Sequence, residues 1–234
     1  MKNIIVFIVI LILSVSCTVI AIEPYRTEDT LGPLHFRIGA GVELGQLAPN
    51  PSSSDTINDL GINFPLGIVY AGMGIWDNID IYASAAMTVP SLALSGTIKY
   101  KFYDKLGFKM ALTPTFKYSD GEGEAFSDSF SYVLMGGELP LAFTYSILGV
   151  VMLSAAPHAG YYNYEYDRGG VINSYDYYTY GATVTAEAKV GFLRVTLGVD
   201  GTKYYSSSHT LTFSDSQNLL NKNLYPYLTV SFQF

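Results

Sequence analysis

From Leu34 to Leu44 every second residue is apolar: Leu34, Phe36, Ile38, Ala40, Val42 and Leu44 alternate with His35, Arg37, Gly39, Gly41 and Glu43. Successive side chains of a strand point to opposite faces, so the segment reads as a strand with one apolar and one polar or glycine face. The same period of two recurs and predicts ten strands. The second carries Ile62, Phe64, Leu66, Ile68 and Tyr70 on its apolar side. The third carries Ile79 to Val89, the fourth Leu92 to Phe102, and the fifth Phe108 to Tyr118. The sixth carries Val133 to Phe143. The seventh, about Gly149 to Tyr161, is apolar on both sides over Val150-Val151-Met152-Leu153. The eighth, ninth and tenth carry Tyr178 to Val190, Leu193 to Val199, and Leu224 to Phe234. No Lys, Arg, Asp or Glu falls on any of these apolar faces.

The connections alternate in length. Trp76-Asp77-Asn78, Tyr103-Asp104-Lys105, Tyr145-Ser146-Ile147 and Val190-Gly191 read as tight hairpin turns. Gln46 to Gly61, Ser119 to Ser129, Asn163 to Asp176 and Tyr205 to Asn223 read as long polar loops, with one short link at Pro90-Ser91. Short turns at one end and long loops at the other are the layout of a transmembrane barrel. Pro65, Pro114, Pro140, Pro157 and Pro226 fall inside the predicted strands, where each removes a ladder donor. They keep eight strands open as an alternative to ten.

A soluble up-and-down barrel shows the same periodicity with its apolar face inward. Composition separates the two. Charged residues are 14% of the 234, against roughly 25% in soluble domains. The polar faces are mostly Gly, Ser, Thr and Tyr, whereas a water-facing surface is rich in charge. Aromatic residues also gather at both ends of the apolar faces: Trp76, Phe102, Tyr103, Phe143, Tyr145 and Phe234 near the short turns, and Tyr118, Phe130, Tyr161, Tyr178 and Tyr204 near the loops. Two such belts mark membrane interfaces. The reading is therefore all-β, a transmembrane antiparallel up-and-down barrel.

Residues 1–21 carry the export pattern, with Lys2, an apolar run from Ile4 to Leu13, and small residues up to Ala21. Cleavage after Ala21 is the reading adopted. Lipidation of Cys17 at a loose lipoprotein box, and an uncleaved membrane helix, stay open. Residues 22–32 then form a short periplasmic segment, and 33–234 the barrel.

The ending Leu228-Thr229-Val230-Ser231-Phe232-Gln233-Phe234, with apolar residues at every second place before a terminal Phe, resembles the insertion signal of bacterial outer-membrane proteins. On Leu228, Val230, Phe232 and Phe234 the chain is similar to small barrels of the OmpA, OmpX and OmpW kinds, with no subfamily singled out. That resemblance implies outer-membrane lipid around the barrel, the barrel assembly machinery as a partner, both chain ends in the periplasm and the long loops outside.

Seven of the thirteen basic residues fall on inward positions: Arg37, Lys99, Lys101, Lys109, Lys117, Lys189 and Arg194. Facing them are Glu43, Asp80, Glu138, Glu187 and Asp200. A two-residue turn at Val190-Gly191 would set Glu187 directly across from Arg194. Arg37, Lys99, Lys101, Lys109, Lys189, Arg194, Glu187 and Asp80 form a predicted charge collar toward the short-turn end, either an anion-preferring constriction or a salt-bridged filling. The loops hold half of the acids. Asp120-Gly121-Glu122-Gly123-Glu124 alternates carboxylates with glycines but lacks the full calcium-hand spacing, and reads as a solvated loop. Tyr161, Tyr162, Tyr164, Tyr166, Tyr175, Tyr177, Tyr178 and Tyr180 straddle one loop and suit either a contact surface or an extended belt.

Of the three histidines, His35 falls near the short-turn mouth, His209 in a serine-rich loop, and His158 inward with no obvious Ser–acid partner. No nucleophile motif, phosphate loop or metal-ligand set is visible, so the sequence reading is no enzyme, no cofactor and no metal. A net charge of −7 argues against a nucleic-acid partner. Two functions remain: a narrow porin-like channel or envelope-structural barrel taking small solutes, and a surface adhesin or ligand-binding protein using the loops; an outer-membrane enzyme hydrolysing lipids or peptides stays as a remote alternative.

Overall fold

The computed structural model describes residues 30–45, 64–87, 91–125, 128–168, 170–206 and 224–234. Its strand segments are β1 (Phe36–Gly45), β2 (Phe64–Trp76), β3 (Ile79–Met87), β4 (Ser91–Lys105), β5 (Phe108–Leu112), β6 (Thr115–Ala125), β7 (Asp128–Ile147), β8 (Val151–Arg168), β9 (Val171–Val190), β10 (Leu193–Ser206) and β11 (Leu224–Gln233). Every pairing is antiparallel. β5 and β6 are two halves of one strand. Both lie between β4 and β7 in a single register, broken at Thr113–Pro114, where the proline has no N–H to give. Neighbours stay bonded across the break, because Ile98 N–H reaches the Pro114 carbonyl and Thr113 N–H the Pro140 carbonyl, at 3.1 and 3.0 Å. Eleven segments therefore make ten strands.

Pairing of β1 with β11, from Arg37↔Gln233 to Glu43↔Tyr227, closes the sheet on itself. Closure is what hydrocarbon demands, since lipid offers no partners to the N–H and C=O groups of an open edge. The apolar face looks outward. Val184 is 59% exposed, Leu197 56%, Ile98 54% and Leu34 79%. Val230 and Leu112 also lie on the outer face. A soluble barrel would have turned these residues into its core. Between the two ends, no outward position whose side chain is described carries Asp, Glu, Lys or Arg. Rings edge the band: Tyr103, Phe108 and Phe143 run side by side with centroids 6.0 and 6.4 Å apart at the short-turn end, and Tyr161 meets Tyr178 at 5.3 Å at the other.

Five expectations are corrected. In β2 the face holding Leu66, Ile68 and Tyr70 is buried in the lumen, and Val69, Ala71 and Met73 face lipid. This strand is apolar on both sides, so its own pattern is ambiguous, and pairing with β1 (Ile38↔Ala71, Ala40↔Val69) decides. Two turns lie further along than predicted, at Leu106–Gly107 and at 148–150. Positive φ at Leu106 (54°) and Gly107 (79°) gives the hairpin the twist its strands require. Ser119 to Ser129 and Asn163 to Asp176 are largely strand, not loop. Their Tyr, Thr and Ser residues fit a pleated surface, and pairs such as Tyr164↔Tyr175 and Glu122↔Ser131 continue the ladder. Asp120-Gly121-Glu122-Gly123-Glu124 is thus part of β6. The predicted loops Gln46 to Gly61 and most of Tyr205 to Asn223, with His209, lie outside the described residues.

Four inward glycines make room for tyrosines directly across the ladder. A Cβ on Gly39 would sit 2.4 Å from the Tyr70 ring, on Gly72 2.2 Å from Tyr82, on Gly136 2.5 Å from Tyr162, and on Gly198 2.2 Å from Tyr227. Each ring lies flat over the glycine opposite and fills the lumen, as edge-glycine rescue does in designed sheets. Gly72→Val is expected to cost about 1–3 kcal/mol by overpacking. Equilibrium unfolding in vesicles should show part of that loss recovered when Tyr82→Ala is added, and purely additive losses would remove the pairing argument.

Candidate functional site

At the short-turn end the lumen is crossed by one buried charge network. Arg37 on β1 reaches past β11 and β10 to Glu187 on β9, with Nη2 donating to Oε2 at 2.6 Å. Arg194 Nη1 donates to the other oxygen, Oε1, at 2.6 Å, and the Thr196 hydroxyl adds a third donor at 3.2 Å. Arg37 Nε binds Ser231 Oγ at 3.0 Å. All three ions are at most 2% exposed. On the other side of Arg37, Gly72 lies opposite it on β2, and the Tyr82 ring covers Gly72.

The layer continues on the far wall. Asp80 and Lys99 face each other across β3 and β4, both fully buried, and the Lys99 ammonium lies 5.3 Å from the centroid of the Tyr82 ring. The Tyr82 hydroxyl donates to Asp80 Oδ2 at 3.2 Å. Below this level sits the segment before β1. Leu31 N–H lies 3.1 and 3.0 Å from the two Asp80 oxygens, its side chain packs against Tyr70 and Tyr82, and the Thr30 hydroxyl donates to the Asp77 carbonyl at 2.8 Å.

The predicted collar therefore separates into two parts. Arg37, Glu187, Arg194, Asp80 and Lys99 come together inside the barrel. Lys101, Lys109 and Lys189 do not join them. Lys101 pairs with Asp104 at 2.9 Å, Lys109 stands opposite Asp104, and Lys189 is exposed beside the Gly191–Phe192 turn. The expected direct pairing of Glu187 with Arg194 is also corrected. That turn sits one residue later than predicted, so Arg194 opposes Lys189 and Glu187 opposes Thr196, and the ions meet on the diagonal.

Two further clusters fill the middle. Lys117 Nζ lies 3.0 Å from Glu138 Oε1, and the Tyr162 hydroxyl donates to Oε2 at 3.3 Å. His158 has a carboxylate neighbour after all. Its ring crosses Gly181, where a Cβ would come within 2.8 Å of Nε2, and reaches β10. There Nε2 lies 3.0 Å from Thr202 Oγ1 and Nδ1 3.8 Å from Asp200 Oδ2, while the Thr183 and Thr202 hydroxyls donate to Asp200. The missed signal was the inward glycine on the intervening strand, which lets two side chains meet across it. The arrangement ties β8 to β10. Among the described residues no group of three His, Cys, Asp or Glu is placed to hold a metal ion.

β7, β8 and β9 rise past the outer ring belt. At ~3.3 Å per residue and ~40° tilt, 20 residues climb about 50 Å, twice a ~25 Å apolar band. The inner face of this extension buries Tyr132, Leu134, Tyr162, Tyr164 and Tyr177 in one cluster. The outer face carries Asn163, Glu165, Ser174 and Asp176, and exposes Val171 and Ile172 at the tip. The Tyr161 hydroxyl (2.6 Å) and the Asn163 amide (3.2 Å) donate to Asp176 and hold its carboxyl below the usual range.

No family model and no curated protein matches the chain. Solved structures do. The outer membrane protease OmpT from Escherichia coli matches at 10% identity over 91% of this chain and 100% of its own, with a TM-score of 0.48. The translocator domain of the autotransporter NalP from Neisseria meningitidis matches at 7% identity over 88% and 91%, with a TM-score of 0.36. CdiB from Acinetobacter baumannii matches at 12% over 76% of this chain, which spans 33% of CdiB, with a TM-score of 0.38. The closed sheet and its outward apolar band decide the class. The chain is a closed, ten-stranded transmembrane β-barrel. One expectation is corrected by these neighbours. The reading of no enzyme rested on a barrel without a visible catalytic motif, and a protease stands among the barrels of this shape. At these identities the likeness is one of architecture alone and assigns no activity.

Proposed function

We propose that this protein is an occluded outer-membrane barrel that displays its long hairpins at the cell surface and acts there as a structural or ligand-binding protein. The observation that carries the reading is the buried Arg37–Glu187–Arg194 network with its Asp80–Lys99 continuation, which occupies the bore where a channel needs water. In this reading the short turns and both chain ends face the periplasm, and Leu228, Val230, Phe232 and Phe234 present the insertion signal to the assembly machinery. The β7–β8–β9 extension meets extracellular ligands through its acidic outer face and its Val171–Ile172 tip. A stiff, tyrosine-packed sheet suits recognition, because little ordering entropy remains to be lost on binding. Purified barrel in planar bilayers is expected to stay silent across buffers and ionic strengths. Discrete ion-selective steps would overturn the occluded reading in favour of a narrow pore, and a reversal potential shifted by Lys101→Gln with Lys109→Gln would then identify the rim as its filter.

A further inference from the structure

We propose that Thr30–Gly32 is a plug seated in a purpose-shaped socket at the short-turn mouth, and that it is what keeps water away from Lys99. The inference rests on the occluded reading above and adds a removable part to it. Three features build the socket. Asp80 turns both carboxylate oxygens toward one backbone N–H, that of Leu31, at 3.1 and 3.0 Å. Tyr70 and Tyr82 form a slot in which Leu31 is only 6% exposed. Gly74 supplies the close approach: a Cβ there would lie 1.8 Å from the Gly32 carbonyl oxygen, so no other residue at 74 admits the segment.

The path of the chain is fixed on both sides of the leucine. The Thr30 hydroxyl is held by the Asp77 carbonyl in the β2–β3 turn at 2.8 Å. Gly32 (φ 82°) and Leu34 (φ 61°) bend the backbone so that Leu34 N–H bonds the Gly74 carbonyl and Gly74 N–H the His35 carbonyl, both at 2.9 Å. Left-handed backbone at a leucine is costly, and it persists where surrounding structure holds it. The segment is thus an extended peptide bound in a groove of polar and aromatic groups, with this chain supplying both ligand and site. Its anchor points are few, so it can leave without unfolding the barrel, as low-stability local elements do.

The test uses the full barrel in lipid vesicles and an impermeant amine-acylating reagent, with modified lysines counted by mass spectrometry. Lys99 is fully buried beside Asp80 and Tyr82, the two groups that Leu31 contacts, whereas Lys105 is exposed near the mouth and serves as the internal reference. Leu31→Gly removes the wedge. Gly74→Val leaves the segment intact and denies it its seat. Both variants are expected to raise Lys99 acylation relative to Lys105 on the order of tenfold, because each loses the contacts that hold the mouth shut, and Leu31→Met is expected to keep the parental rate. Folding is checked in each case by heat-modifiable gel mobility. Equal Lys99 rates in the parent and both folded variants would overturn the plug. Rapid Lys99 acylation in the parent would instead overturn the occluded reading on which it rests, and a variant that fails to fold leaves the other to decide.

Discussion

Glu187→Ala should lower the barrel's unfolding free energy in vesicles by about 3–5 kcal/mol, the loss typical when one partner of a buried ion network is removed. Glu187 is the single acid between two guanidiniums, accepting from Arg37 and Arg194 at 2.6 Å each. Without it, two positive charges stand buried inside the barrel, with Lys99 buried there as well. The loss should be visible as a lower urea midpoint followed through Trp76, the one tryptophan. The matched control is the combination Arg37→Met, Glu187→Leu and Arg194→Met, which removes every charge and keeps the volume. Buried networks replaced this way are often neutral or more stable, so the triple variant should recover most of what the single one loses. A loss below about 1 kcal/mol for Glu187→Ala would mean the layer is hydrated, as exposed ion pairs are worth no more than that.

Val184→Arg is the second large effect. Val184 sits on the outer face of β9, midway between Tyr178 of the outer ring belt and Val190 at the short-turn end, and is 59% exposed. In water an exposed valine tolerates substitution within about 0.5 kcal/mol. At the midplane of a bilayer an arginine on the lipid face of a barrel costs about 2–4 kcal/mol, falling to about 0–1 near the interface. Val190→Arg, on the same face beside the Gly191–Phe192 turn, should therefore be mild. The gradient between the two positions, read from the same unfolding curves, measures depth directly. Equal small losses at both would mean that the face meets water.

The fold was legible where one face of a strand was unambiguous. Residues 34–44, 79–89 and 224–234 alternate so cleanly that register and orientation follow from the pattern. β2 was not legible, because Leu66, Ile68 and Tyr70 are as apolar as Val69, Ala71 and Met73, and only a neighbour's register chooses between them. The strand extensions at 119–125 and 163–176 were hidden by composition, since Gly, Ser and Asp signal loops unless a paired strand supplies hydrogen bonds. Of the site, the inward parity of Arg37, Lys99, Glu187 and Asp80 was readable, as parity is local. Which of them meet was not. Arg37 and Glu187 are joined across two intervening strands, and His158 reaches Asp200 over Gly181, contacts that depend on the curvature of the closed sheet and the absence of a side chain between them. The Leu31 socket left no periodic trace, because it is made by a segment outside the repeat.

The seam between β1 and β11 has a consequence for how the molecule comes into being. Arg37 and Ser231, bonded across it, are 194 positions apart in the chain, and contacts of such separation are slow to form because the intervening chain must first be confined. The ring cannot be completed before β11 (Leu224–Gln233) is available to pair with β1. Losing those residues would leave an unzipped ribbon with two raw edges, fit for aggregation and not for a membrane.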